Sequence, residues 1–345
     1  MVVTSVVSTR FLANRIINQL RCGWSFALSL FGVVRVRHLP TFVSVEPANF
    51  CQLRCPECPV GTASRLSPLA SSPHRLMTME TFHRILDEVK EHAHTMQFYF
   101  QGEPLLNKQL PEMIAMAHQV GLYTIVSTNA QALSRSTAEA LVKSGLSHII
   151  VSIDGFSEES YAAYRVGGSL HKALEGLQHL ANAKAELHSR IRIELQVLRL
   201  RSNEHEWDWI KKNYKKLGAT HLVFKTAQLY NFEHGHPLMP TDERYSRYRK
   251  TADGTYVHKS SHLSPLALSP HRLIALQPCL RLWSGCVITT SGDVLPCCYD
   301  KDHRHVLGNI TTHSLSEIFH SHKANTLRKH VLKGNLPEMC KNCNH

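Results

Sequence analysis

From Thr41 onward, short apolar runs alternate with segments whose apolar residues recur at helical spacing. Phe42–Val45 reads as a first strand. Thr78 then stands as a helix N-cap, ahead of Phe82, Ile85, Leu86 and Val89 at i, i+3, i+4 and i+7. The alternation continues with strand Met96–Phe100, a helix with Pro111 in its first turn, strand Tyr123–Val126, and a helix capped near Ser134 or Ser136 that carries Leu141 and Val142. Strand His148–Ile153 leads into helical stretches from Ser157 and from Leu170. Strand Ile191–Leu198 precedes a helix with Asn203 as N-cap and Trp207, Ile210, Tyr214 and Leu217 on one face; strand His221–Phe224 closes the series.

These are six β/α units in about 185 residues, the pattern of an α/β fold whose right-handed crossovers set parallel strands beneath outer helices. Six units are too few for a closed eight-stranded barrel. A partial (β/α)6 barrel or open sheet is predicted, with functional groups at the C-terminal ends of its strands. Thr62–His74 is Ser/Pro-rich and reads as a loop. Ala227–Leu276, with His234, His236, Pro240, the basic stretch Arg244–Lys250 and a second Ser/Pro-rich patch, reads as a connector with some helix and part of a substrate lid. From about residue 276 the chain becomes a small cysteine-rich module, in which Val287–Thr290 and Val294–Pro296 form a hairpin around Gly292. The expected organisation is a basic segment over 1–40, a core over 41–226, a connector over 227–275 and the cysteine-rich domain over 276–345.

Composition narrows this further. Of 345 residues, 43% are hydrophobic and 19% charged, which excludes an intrinsically disordered chain. No apolar run reaches the ~18–20 residues of a membrane span. The net charge of +12 is lopsided: Arg10, Arg15, Arg21, Arg35 and Arg37 all precede the first acid, Glu46. Without Lys/Arg blocks interleaved with aromatics elsewhere, nucleic acid is not an expected partner. The apolar stretch Trp24–Val34 imitates a signal peptide but lacks a small-x-small cleavage site. Two readings of this segment stay open: a basic amphipathic helix on anionic lipid, giving peripheral membrane contact, or, as the plainer one, a helix packed on the main domain.

The ten cysteines carry the chemistry. Cys22 stands alone; the others lie in two clusters separated by more than two hundred cysteine-free residues. A secreted disulfide scaffold is short and evenly cysteine-dense, so metal or iron–sulfur ligation is indicated instead. Cys51-x3-Cys55-x2-Cys58 follows the first strand directly. Three thiolates on one loop hold three irons of a [4Fe–4S] cube and leave the fourth iron open. Zinc is the competing occupant, but a structural zinc site needs four ligands and no fourth cysteine is near.

At these residues the chain resembles the radical S-adenosylmethionine (radical SAM) superfamily over roughly residues 41–226. Cys51, Cys55 and Cys58 match its CxxxCxxC motif. Gly102-Glu103-Pro104 resembles the motif that receives the methionyl amino group, with Gln101 in place of its first glycine. Ser127 and Asn129, and Ser152 and Asp154, resemble ribose and carboxylate contacts, and Arg165 resembles the arginine that pairs with the cofactor carboxylate. Glu57 stands where the family often has an aromatic residue touching adenine, so no such role passes to it; the strand end around Val197 and Leu198 is the weaker alternative. Cys279-x12-Gly292-x4-Cys297, followed by Cys340-x2-Cys343, resembles the C-terminal SPASM/twitch pattern. The six cysteines of this module suffice for one auxiliary [4Fe–4S] cluster, held by Cys279, Cys297, Cys340 and Cys343, with Cys286 and Cys298 as alternative ligands.

The resemblance implies a reductive cleavage of S-adenosylmethionine to a 5′-deoxyadenosyl radical that abstracts hydrogen from a substrate. One auxiliary cluster then suits an oxidation, or a modification of a peptide or small molecule. Flavodoxin or ferredoxin is the implied electron donor and a reducing cytoplasm the implied setting. No catalytic base is assigned; Lys225, Gln228 and Tyr230 lie where substrate should sit, with His234, His236 and Asp242 further off. Two other classes are weighed: an RNA-modifying radical SAM methyltransferase and a non-enzymatic iron–sulfur electron carrier.

Overall fold

A computed structural model describes residues 9–62, 74–259 and 279–343. Helix α1 (Thr9–Ser29) precedes strand β1 (Phe42–Val45), and a single turn, α2 (Pro59–Thr62), closes the cysteine loop that follows. The repeating series is α3 (Met79–Val89), β2 (Thr95–Phe98), α4 (Leu110–Gln119), β3 (Tyr123–Thr128), α5 (Arg135–Lys143), β4 (His148–Ser152), α6 (Glu158–Ala162), α7 (Leu170–Glu186), β5 (Arg192–Arg199), α8 (Trp207–Asn213) and β6 (His221–Thr226). Strands β1 to β6 pair parallel in chain order, as the crossover rule requires.

Local chemistry sets the helix starts. The hydroxyls of Thr78, Ser134 and Ser157 each accept a hydrogen bond from an amide of their helix's first turn, satisfying donors that the helix leaves free. Phe82, Ile85, Leu86 and Val89 turn inward from α3, and Phe82 meets Phe98 at 5.8 Å. Each such buried side chain contributes about 1.5–3 kcal/mol of transfer free energy. Asn203 departs from its expected role as a helix cap. It lies inside a 3₁₀ stretch, Arg201–Glu206, and its amide bridges the carbonyl oxygens of Asp154 and Leu198 while accepting from Leu200 N and Trp207 Nε1. That network fixes the end of β5 and holds the start of the helix back to Trp207; the helix stops at Asn213, ahead of Tyr214 and Leu217.

The connector forms no α-helix among its described residues. It holds a 3₁₀ turn, Glu243–Tyr245, and an antiparallel pair, β7 (Tyr248–Lys250) and β8 (Tyr256–His258). Its second Ser/Pro-rich patch, like most of the Ser/Pro-rich loop before Thr78, lies outside the described residues.

The C-terminal part contains α9 (Leu280–Ser284), β9 (Gly285–Ile288), β10 (Asp293–Leu295), β11 (Gly308–Asn309), α10 (Leu315–Phe319), α11 (His322–Leu332) and α12 (Glu338–Lys341). The expected hairpin is present, with Gly292 at φ 86° in its turn. It is joined to the core: β9 pairs parallel with β1, so the sheet runs β11-β10-β9-β1-β2-β3-β4-β5-β6. Among the described residues β6 pairs with no strand beyond β5, which leaves the barrel partial, as expected.

At this seam Glu46 is fully enclosed, its carboxylate accepting from Thr290 N at 3.5 Å and from the backbone amide of Gln101. Burial raises its carboxyl to about 8. A folded-state value above the unfolded one favours the protonated form, so its contribution to stability is complete below the ordinary carboxylate range and is lost as pH rises through about 8. Glu46→Gln should therefore flatten the pH dependence of the thermal midpoint between about pH 4.5 and 8, raising stability at the alkaline end by a few kcal/mol. An unchanged pH profile would show that Glu46 does not titrate there.

Candidate functional site

The chain leaving β1 crosses the C-terminal ends of the strands and carries Cys51, Cys55 and Cys58. Cys55 and Leu53 are buried, packed with Tyr164 and Leu200 under Leu229, Met239 and Tyr248 of the connector. Leu53 N and Asn129 Nδ2 each donate to Cys51 Sγ at 3.4 Å. The three cysteines line a cavity of about 260 Å³, together with Gly102, Glu103, Ser127, Asn129, Ser152 and Arg165 from successive strand ends. Nine sequence-predicted residues, far apart in the chain, thus share one wall.

Two predicted residues stand behind that wall. Pro104 opens a 3₁₀ turn whose cap is Glu103. Asp154 is enclosed, with Arg165 Nε and Nη2 both at 2.6 Å and Leu198 N at 2.7 Å. Its carboxylate is fully engaged in holding Arg165 and the end of β5. Burial works against the charge of Arg165, and Asp154 together with Cys55, Tyr164 and Tyr161 more than offsets it. Glu103 is likewise engaged, accepting from Thr128 Oγ1 at 2.7 Å, Asn129 N at 2.9 Å and Leu105 N at 3.2 Å. Gly102 is required by space, since a Cβ there would lie 2.1 Å from the Ala48 carbonyl oxygen.

The donor set fits an iron–sulfur cube. Burial pushes the Cys51 thiol up to about 12 and raises that of Cys55, so thiolates persist in this pocket only against cationic charge. Among the described residues, no three Cys, His, Asp or Glu side chains stand at single-ion spacing, whereas a cube receives its thiolates at separate corners.

Glu57 serves the roof of the site. It accepts from Tyr230 N at 2.7 Å and meets His236 Nε2 at 3.2 Å, tying the connector down beside Cys58. His234 and His236 line a separate pocket with Arg201 and Tyr256, and Asp242 is paired with Arg244 at the surface.

Lys301 was not legible in the sequence. It follows β10 in the C-terminal part, yet it enters the cavity beside the three cysteines. Its Nζ has Gln228 Oε1 at 3.5 Å and the Tyr230 ring at 5.9 Å, and burial pulls the ammonium below the usual lysine range. Gln101, the departure from the glycine motif, donates to the Lys301 carbonyl oxygen at 2.8 Å and holds that backbone against the end of β2.

The cysteines of the second group lie near one another. Cys279 and Cys340 border the apolar cluster of Leu282, Trp283 and Val331; Cys297 is close enough to both to feel their charge, and Cys340 to feel Cys343. Burial raises Cys297 and takes Cys340 to about 12. Cys286 faces the sheet core from β9, and Cys298 turns toward Arg281 Nη1 at 3.3 Å. Asn342, between Cys340 and Cys343, bonds the Tyr248 hydroxyl and the Leu229 carbonyl oxygen, locking the chain end to the connector.

A partial parallel barrel, an open three-thiol loop at its strand ends and a second thiol group beside it define a class of iron–sulfur enzyme. The radical SAM superfamily model matches residues 45–191, and that of the iron–sulfur cluster-binding SPASM domain matches 279–344. The chain belongs to the radical SAM superfamily and carries a SPASM domain; its cofactors are S-adenosylmethionine and [4Fe–4S] clusters. It is 27% identical over 323 residues to a PqqA peptide cyclase of Bradyrhizobium diazoefficiens, covering 88% of this chain and 79% of that protein. Its fold is similar to native anSMEcpe with bound AdoMet, at TM-score 0.61 and 17% identity, covering 88% of this chain and 86% of that one. It is also similar to SuiB of Streptococcus suis bound to precursor peptide SuiA, at TM-score 0.54 and 14% identity, covering 91% and 71%. The methyltransferase and electron-carrier readings are set aside.

Proposed function

We propose that this radical SAM enzyme modifies a peptide, with Cys51, Cys55 and Cys58 holding the first cluster and Cys279, Cys297, Cys340 and Cys343 the auxiliary one. The observation that carries this reading is the single cavity shared by the three-thiol loop, the strand-end polar groups and Lys301. When bound, the cluster and S-adenosylmethionine supply hydrogen-atom abstraction, and the auxiliary cluster supplies an acceptor for the electron left on the substrate.

The chain's own residues do the positioning. Gly102, Ser127, Asn129, Ser152 and Arg165 hold the cofactor, with Glu103 fixing the ends of β2 and β3 and Asp154 fixing Arg165. Leu53, Tyr164 and Leu198 supply apolar wall that excludes water. Lys301 faces the substrate, where a cation that forms no carboxylate ion pair among the described residues suits an acidic peptide side chain. The peptide reading draws on the relatives: one is named a PqqA peptide cyclase, and SuiB was solved with a precursor peptide. An external donor of the flavodoxin or ferredoxin kind supplies electrons, the domains divide at residues 40, 226 and 275, and the basic N-terminal segment makes peripheral membrane contact.

The test is anaerobic turnover of acidic peptides, read by mass spectrometry. A peptide substrate should lose two hydrogens, and Lys301→Met should lower its turnover at least about tenfold at sub-saturating peptide while S-adenosylmethionine affinity stays within about twofold. No change in any acidic peptide, with a small alcohol or sugar oxidised instead, would overturn the peptide reading.

A further inference from the structure

Helix α1 is amphipathic in the reverse of the usual sense. Its inner face is polar: Arg15, Asn18, Cys22, Ser25 and Ser29 are the buried positions. Arg15 is only 3% exposed and donates to the carbonyl oxygens of Lys90, Val120 and Gly121, at the C-terminal ends of α3 and α4, where backbone carbonyls lack helical partners. Asn18 bonds Leu39 and His92, and Cys22 reaches the Trp283 carbonyl oxygen. These contacts lock the helix to both the barrel and the SPASM domain.

Apart from Phe26, which packs edge-on against Trp283, the large apolar side chains gather on the face turned away from the protein. Leu12, Ile16, Ile17, Leu20 and Trp24 fall on one arc of the helix, Leu20 at 69% and Trp24 at 68% exposure, and Phe31 just beyond it is 80% exposed. Among the described residues, eight of the fifteen exposed large hydrophobic side chains lie between Leu12 and Val33. A patch of this kind on a folded surface marks an interaction site. Its charge identifies the occupant. A groove of about 600 Å³ has Leu20, Trp24 and Leu28 as its apolar side and Arg21, Arg35 and Arg37 at its rim. No acid occurs in the chain before Glu46. No helix among the described residues is long and apolar enough to cross a membrane.

We infer that this face is a membrane dock: α1 lies in the plane of an anionic bilayer, with Leu20, Trp24 and Phe31 in the headgroup–acyl boundary and Arg21, Arg35 and Arg37 on lipid phosphates. Apolar burial and electrostatic attraction act together in such interfacial helices, and neither alone anchors stably. Tryptophan and phenylalanine beside arginine suit that boundary, being apolar in body and tolerant of the polar edge. The inference deepens the peripheral contact proposed above and is independent of the cluster chemistry. Because the inner face is bolted down by hydrogen bonds, docking needs no unfolding of α1, and the enzyme approaches the bilayer in one fixed orientation.

The test is flotation of the reconstituted, full-length protein with vesicles of equal parts phosphatidylglycerol and phosphatidylcholine, against phosphatidylcholine alone. Binding should require the anionic lipid and fall as salt rises. The combined variant Leu20→Glu, Trp24→Glu and Phe31→Glu should lose it by roughly tenfold or more, and Arg21→Gln with Arg35→Gln and Arg37→Gln should lose the lipid selectivity. All six side chains avoid the packed inner face, and unchanged cluster spectra and 5′-deoxyadenosine formation would show the variants folded. Absence of flotation by the parent protein, as when another part of the chain covers the face, would overturn the inference. So would concentration-dependent dimerisation relieved by the same glutamates, which would assign the face to a second copy.

Discussion

Replacing Cys51, Cys55 and Cys58 together by alanine should remove about half of the iron, one cube of two, and abolish S-adenosylmethionine cleavage, while the other cluster keeps its spectrum. The physical basis is the separation of the two thiol groups. The first sits on one loop roofed by Leu229, Met239 and Tyr248, and the second borders Leu282, Trp283 and Val331 around α9, α11 and α12. Their hydrophobic surroundings are distinct, and the charges that act most on Cys297 and Cys340 come from cysteines of their own group. The reciprocal change, Cys340→Ala with Cys343→Ala, should remove the auxiliary signal and leave the first. Iron analysis and low-temperature electron paramagnetic resonance of the reconstituted variants check both; loss of both clusters from either would contradict the division into two modules.

Asp154→Ala should be the most damaging single change away from the cysteines. It leaves Arg165, otherwise paired at 2.6 Å, as a buried charge without its counter-ion, and it frees Leu198 N at the end of β5. Breaking a buried pair from one side costs about 3–5 kcal/mol. Because Arg165 also lines the cofactor cavity, S-adenosylmethionine affinity should fall with stability. Denaturant unfolding and anaerobic ligand titration measure the two effects. Asp154→Asn keeps an acceptor for Leu198 N and should lose less stability, while still losing the affinity that depends on Arg165 being held. A stable Asp154→Ala protein with unchanged affinity would remove Asp154 from the positioning role.

Legibility in the sequence followed the range of the interaction. Thr78, Ser134 and Ser157 announce their helices because a cap is settled within four residues. The strand-end residues were legible because strand order, once parallel, puts Gly102, Ser127, Ser152 and the cysteine loop at one end. The pairing of β9 with β1 was not, since it joins positions more than two hundred residues apart and leaves no local signal. Lys301 escaped for the same reason: in sequence it is a lysine beside Asp302, and only the attachment of the hairpin to β1 and the bond from Gln101 bring it to the cysteine loop. Asn203 misled because a side chain suited to capping a helix also suits bridging two strands' ends. Helix α1 answered the two open readings in an unforeseen way. It packs on the main domain chiefly through its polar residues, with Phe26 against Trp283, because unsatisfied carbonyls at the ends of α3 and α4 attract Arg15 more specifically than apolar surface attracts Leu20.

The central claim is that this cavity runs radical S-adenosylmethionine chemistry, and 5′-deoxyadenosine formation tests it most directly. Anaerobically reconstituted protein, with S-adenosylmethionine and a strong one-electron reductant, should form 5′-deoxyadenosine well above the Cys51→Ala, Cys55→Ala and Cys58→Ala control, as read by mass spectrometry. The same amount from both proteins, with two clusters confirmed in the parent and acidic peptides supplied, would contradict the account.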